Sequence, residues 1–188
     1  MKKLFLSFSF FVILFVVCGC HDANSNQMTD IEPWITYDDI VIGSTTLETV
    51  ETLHGQPSDK DVFGESVQVV YYEGYHLIVE DNKVKTIIIE NDTAPLLWNE
   101  ISVGSSLDTL LSILPITPIE LEYDIAFPPS ELPEKTEEPY AVLSTAFEEN
   151  TSKVADKQLV FVISSQYRIT FQIDTERDTI TGISLNSA

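Results

Sequence analysis

Asp39-Ile40-Val41-Ile42-Gly43-Ser44-Thr45 is matched further along the chain by Glu100-Ile101-Ser102-Val103-Gly104-Ser105-Ser106. The fold reading turns on this pair, because a motif that returns after a fixed interval marks a chain built from repeated units. With one residue skipped the match continues, Leu47-Glu48-Thr49-Val50 against Leu107-Asp108-Thr109-Leu110. Each opening has the same mechanics. A short apolar strand runs into a glycine, which permits a sharp change of direction. Ser and Thr then cap a helix, and Thr45 and Glu48 stand at capping-box spacing. Leu47, Val50 and Leu53 share one helical face, and Gly55 with Pro57 punctuates the end. In the second unit Leu107, Leu110, Leu111 and Leu114 form the apolar face and Pro115 stops the helix.

Strand patterns follow each helix. Val67, Val69 and Tyr71 lead to a turn at Glu73-Gly74. Leu77 and Val79 share a face, and Asp81-Asn82 reads as a hairpin turn before Val84 to Ile89. The second unit has Leu159 to Ile163, Tyr167 to Ile173 and Thr179 to Leu185. Tyr167, Ile169, Phe171 and Ile173 alternate with Arg168, Thr170, Gln172 and Asp174, the pattern of an antiparallel strand with one wet face. The expected fold is therefore α+β, two tandem units of one helix plus a three-stranded antiparallel meander. The expected boundaries are a leader at 1–19, a tether at 20–33, a first unit at 34–93 and a second at 94–188.

The second unit contains an insertion, 118–140, with five prolines and a single base, Lys135. Its acids are Glu120, Glu122, Asp124, Glu131, Glu134, Glu137 and Glu138. Pro128-Pro129 rules out a regular helix there and opposes a central strand. An extended surface loop is expected, and its acids are the candidate interaction residues.

Residues 1–20, MKKLFLSFSFFVILFVVCGC, place two lysines before an apolar run from Leu4 to Val17. That run suits a signal-peptide core and is too short to span a bilayer. Its end, Val17-Cys18-Gly19-Cys20, resembles the lipobox of bacterial lipoproteins. The resemblance implies cleavage before Cys20, a diacylglycerol thioether on its sulfur and a further fatty acyl chain, such as palmitate, on the new amino terminus. Two or three chains anchor a protein stably. His21 is not the aspartate that signals inner-membrane retention, so the resemblance implies an outer-membrane lipoprotein facing the periplasm in a Gram-negative cell. In a Gram-positive cell it implies the outer face of the plasma membrane.

The 188 residues carry 30 acidic and 10 basic side chains, a net charge of −20. Loss of 1–19 removes Lys2 and Lys3 and no acid, which brings the charge to −22. Such a surface repels nucleic acid and anionic headgroups. It serves solubility, and it also favours basic proteins as neighbours.

The stretch 38–90 resembles the small lipoprotein of the outer-membrane barrel-assembly machinery. The shared features are Asp39 to Thr45, then Val50, Leu53, Gly55 and Pro57, a Tyr-bearing strand and Val84 to Ile89. Two such units in tandem resemble the architecture of secreted β-lactamase inhibitor proteins, which bind an enzyme on the concave face of a sheet.

No catalytic constellation emerges. His21 lies in the tether, His54 ends a helix and His76 opens a strand, with no ligand spacing for a metal. A phosphate loop, a G-x-S-x-G elbow and an HExxH motif are all absent from the sequence. Asp174, Glu176 and Asp178 alternate like the start of a calcium loop but lack its glycine and terminal glutamate, so a hairpin turn is expected. The chain thus reads as a noncatalytic envelope interaction module without cofactor, metal or nucleic-acid partner, anchored in a membrane through Cys20 and binding a protein. The alternative is a periplasmic inhibitor or immunity protein for a basic enzyme or toxin.

Overall fold

The computed structural model describes residues 30–124, 139–148 and 153–188. The first half comprises α1 (Glu32–Ile35), β1 (Thr36–Tyr37), β2 (Ile40–Val41), α2 (Leu47–His54), β3 (Asp59–Phe63), β4 (Val67–Tyr71), β5 (Tyr75–Glu80) and β6 (Lys83–Ile89). The second comprises α3 (Leu107–Ile113), β7 (Ile119–Asp124), β8 (Tyr140–Phe147), β9 (Val154–Ser164), β10 (Tyr167–Ile173) and β11 (Ile180–Ser187). Strands β3 to β11 form one sheet in the order β3-β4-β5-β6-β11-β10-β9-β8-β7. Every pairing in it is antiparallel except β7 with β8, which is parallel.

This overturns the expected α+β arrangement of two helix-plus-three-strand antiparallel units. The chain is mostly β, and one mixed nine-stranded sheet replaces two separate meanders. The last strand of each half supplies the joint: Ile87 pairs with Leu185 and Ile89 with Ile183, all four buried. Burial of four such residues favours the joint. Within this sheet the strands that the pattern missed are β3, β7 and β8, and outside it the two-residue β1 was missed as well. All five residues of β3, DKDVF, are exposed at a sheet edge, so no alternation marks it. At the opposite edge β7 carries acids on alternate positions, inside the stretch expected to be a loop. Its charged edge hinders pairing with further strands.

The repeated motif has one structural meaning in both halves. Gly43 N–H donates to Val84 O at 2.7 Å and Gly104 N–H to Ile180 O at 2.7 Å. Both glycines have positive φ, 80° and 94°, which a side chain resists. Val84 N–H donates to Thr45 O, and Ile180 N–H to Ser105 O. Leu47 N–H reaches Asn82 O, and Leu107 N–H reaches Asp178 O. Each motif thus fastens its helix to the last hairpin of its own half. The skipped residue is Ser44, in the longer of the two turns.

The helix caps lie one residue later than the capping-box spacing implied. Thr46 Oγ1 accepts from Thr49 N–H at 3.3 Å, and Ser106 Oγ from Thr109 N–H at 3.1 Å. Thr45 Oγ1 is already committed to Val41 N–H at 2.8 Å, as Ser105 Oγ is to Ser102 N–H at 3.0 Å. Thr46→Ala and Ser106→Ala are each expected to cost ~1 kcal/mol of stability, the usual value of a lost cap. Urea unfolding checks this, and a change below a few tenths in both would contradict the shared role.

The main core cluster lies on one side of the sheet. Leu47 and Val50 of α2 and Leu107 and Leu110 of α3 join Leu77, Ile87, Leu159, Phe161, Phe171 and Leu185 in one buried cluster. Trp34 and Trp98 close it at one end, 4.9 Å apart and edge to face, each against Phe161.

Candidate functional site

Because both helices add to the same cluster, they cover the same face of the sheet. The period-two alternation of strands sends intervening side chains to the other face. Register defines that face: Val69 of β4 lies beside Ile78 of β5, which lies beside Thr86 of β6, which lies beside Asn186 of β11. The row continues through Arg168 of β10 to Val162 of β9 and Tyr140 of β8. A parallel row runs Tyr71, His76, Ile88, Ser184, Thr170 and Val160.

Two zones result. Over β4 to β6 the face carries an apolar and aromatic group, with Val67, Val69, Tyr71, Ile78 and Ile88 half-buried and Phe63 58% exposed at the rim, while Asp59 and Asp61 of β3 and Glu80 of β5 edge it with carboxylates. Over β10 and β11 it is polar, where Thr86 Oγ1 donates to Asn186 Oδ1 at 3.3 Å. At β8 this side closes, since Val142, Ser144 and Ala146 are buried, and Ser144 Oγ donates to Gln158 O at 3.3 Å. A cavity of about 390 Å³ opens between β9, β10 and β11, bordered by Tyr140, Val160, Val162, Ser164, Arg168 and Asn186. A second groove of about 680 Å³ lies beside Trp98 and is lined by Asp30, Glu32, Asp38 and Asp39.

The expected site residues fall as follows. Glu120, Glu122 and Asp124 are brought onto one side of β7, the side of Leu143, Thr145 and Phe147. Glu120 borders a small cavity with Leu111 and Leu114 at α3, so this row lies on the helix-bearing side. Ile119, Leu121 and Tyr123 alternate toward the helix-free side. Cys20, Glu131, Glu134, Glu137 and Glu138 lie outside the described residues. Arg168, Asn186 and Tyr140 were not among the expected site residues. Alternation marked Arg168 as outward-facing, but only strand order makes Asn186 and Val162 its neighbours.

The histidines stand apart. His76 is on the helix-free face, its ring 5.5 Å from that of Tyr71 and its Nδ1 3.4 Å from Glu90. His54, at the end of α2, has Nδ1 3.2 Å from Asp38 Oδ2, with its side chain 16% exposed. Among the described residues no group of three or more His, Cys, Asp or Glu side chains is placed to hold a metal. Asp174 Oδ1 accepts from Glu176 N–H and Arg177 N–H, both at 2.9 Å, and closes the turn between β10 and β11. Those backbone donors hold its carboxyl below the usual carboxylate range.

Beside His54 lies a tyrosine cluster. Tyr72 stacks on Tyr75, and Tyr75 meets Tyr37 edge to face at 5.5 Å. Tyr37 donates its hydroxyl proton to Pro95 O at 3.0 Å. Burial first, and then neighbouring Tyr75 and Asp38, push the Tyr37 phenol well above its ordinary range; burial and Asp38 do the same to Tyr75. Below the ordinary phenol value of 10.0 both are protonated, folded or unfolded, and their contribution to stability is constant. As pH rises past that value the unfolded chain releases protons that the folded chain retains, so stability falls. Melting temperature is therefore expected to decline above about pH 10, and Tyr75→Phe to make the decline shallower. A melting temperature that stays level well into the alkaline range would contradict this.

Among the described residues the fold and this face define a mostly β architecture with α2 and α3 on the same side of the sheet. No protein family matches the chain, and no curated protein matches it. Among solved structures, the 1.5 Å crystal structure of an extracellular protein containing a SCP domain, from Bacillus anthracis str. Ames, is similar at 13% identity with a TM-score of 0.48. The likeness covers 81% of this chain and 47% of that one, so this chain spans under half of that protein's length. No helix among the described residues is long and apolar enough to cross a membrane.

Proposed function

We propose that this chain is a noncatalytic interaction module of a cell envelope, tethered by lipid on Cys20, which presents the helix-free face of its sheet to a protein partner. One observation carries the docking part. Both helices lie on one side, and the opposite side leaves apolar and aromatic side chains half-buried from β4 to β6. A continuous apolar area on a monomer's surface marks an interaction site more often than solitary exposed residues do. The lipobox resemblance supports the tether. It also supports delivery to the periplasmic face of an outer membrane, or to the outer face of a Gram-positive plasma membrane.

A photo-crosslinking residue at Val69, Ile78 or Ile88 tests this in cells, with Glu48 on the outer side of α2 as control. Crosslinks to one protein from the three face positions, and none from Glu48, are expected. Equal yield from Glu48, or none from any face position, refutes the docking face. Mass spectrometry of the native amino terminus tests the lipid separately. The inhibitor or immunity reading draws its support from the net charge of −20. It requires a basic partner whose association rate falls steeply with added salt.

A further inference from the structure

The cavity on the helix-free face has a chemistry opposite to that of the molecule around it. In a chain of 30 acids and 10 bases, no aspartate or glutamate among the described residues borders it, and the charged side chain among its described lining residues is Arg168. The groove beside Trp98, by contrast, carries four carboxylates. Among the described residues Arg168 belongs to none of the ion pairs, which join Lys153 to Glu148 and Lys157 to Asp178. Ala188 borders the cavity too, its N–H donating to Gln166 O at 2.8 Å.

We infer that this cavity seats a carboxylate side chain of the docking protein, with the Arg168 guanidinium as its counter-ion. The inference rests on the docking face proposed above. Register places Arg168 between Asn186 and Val162, with Tyr140 beyond Val162. Arg168, Asn186 and the hydroxyls of Tyr140 and Ser164 can each donate a hydrogen bond. Val160 and Val162 offer an apolar surface for the methylenes that lead to a carboxylate. Guanidinium and carboxylate match in shape, forming two parallel charge-assisted hydrogen bonds. One guanidinium in a strongly negative field suits a monoanion, because that field opposes each further negative charge. A phosphate dianion is thereby disfavoured. So is a lysine or arginine from the partner, which Arg168 repels.

The test is an NMR titration of the full chain in detergent with N-acetyl-glutamate N-methylamide, whose side-chain carboxylate is its only charge. The neutral glutamine analogue and methyl phosphate serve as comparison probes. Expected are saturable shifts confined to Ser164–Arg168 and Asn186–Ala188, none with the glutamine analogue and weaker binding of methyl phosphate. Arg168→Gln is expected to weaken glutamate binding by about tenfold or more, the scale of a lost charge-assisted pair, and Arg168→Lys to weaken it less. Arg168 is exposed, so an unchanged melting temperature confirms that both variants fold. No shift, equal shifts with the glutamine analogue, tighter phosphate binding, or indifference to Arg168→Gln overturns the inference. If it fails while crosslinking from Val69 and Ile78 still follows the face, the docking reading stands without the pocket. If that crosslinking fails as well, both fall.

Discussion

Gly74→Ala is expected to destabilise the protein by ~3–5 kcal/mol, combining the cost of forcing a side chain into filled space with that of a left-handed backbone. Gly74 has φ of +84° in the turn between β4 and β5. A Cβ there would stand 2.6 Å from Ala94 N, 2.8 Å from Asn91 Oδ1 and 2.9 Å from Ala94 Cα. Two of these are backbone atoms, and their segment is tied down. Glu90 N–H donates to Gly74 O at 3.1 Å, Thr93 N–H donates to Asn91 Oδ1 at 3.0 Å, and Ala94 is buried in the core. The clash therefore cannot be relieved by turning one side chain. Gly104→Ala is the comparison. Its φ is +94°, but nothing lies near its Cβ, so backbone strain alone applies, at ~1–2 kcal/mol. Urea unfolding followed by tryptophan fluorescence measures both. Equal losses in the two variants would show that the Asn91–Ala94 turn yields.

The second large effect is expected at Phe161. Its side chain is 0% exposed, and its ring lies 5.5 Å from that of Trp34 and 6.5 Å from that of Trp98. Phe161→Ala is expected to cost ~3–5 kcal/mol through lost burial and the cavity left behind. Against a typical total of about 5–15 kcal/mol, that is a large share of the whole. Near-ultraviolet circular dichroism should also lose intensity, because both tryptophans lose a fixed neighbour. Val160, one residue earlier, points to the helix-free face and is half-buried. Val160→Ala is expected to cost under ~1.5 kcal/mol. A loss at Val160 equal to that at Phe161 would mean that both faces of β9 are core, and the docking face would lose its premise.

The strands that were legible are those with a strong alternation and a tight turn. β5 and β6 flank Asp81-Asn82, whose positive φ values of 49° and 63° suit residues that tolerate the left-handed region. β10 was legible because its inner residues are uniformly apolar and its outer ones polar. β3 was not, because an edge strand exposed throughout has no inner side to mark. β7 was not, because its acids sit beside prolines and mimic a solvated loop. The candidate site divides the same way. Arg168 was readable as an outward residue of β10, whereas its cavity comes from pairings with β9 and β11 that single-strand patterns do not encode.

The sequence by itself determined the local events: two glycine-centred openings, two capped helices and the hairpins that they engage. Each depends on side chains within a few residues, or on a backbone angle that glycine, asparagine or aspartate tolerates. Only the tertiary structure decided that the halves join through β6 and β11 and that α2 and α3 share a side. The last strand of each half has one edge whose backbone groups need partners beyond its own meander, and pairing β6 with β11 satisfies both edges at once. Among the described residues the joined sheet has one face covered by α2 and α3 and an opposite face left half-buried from β4 to β6, a property that neither half carries in its own residues.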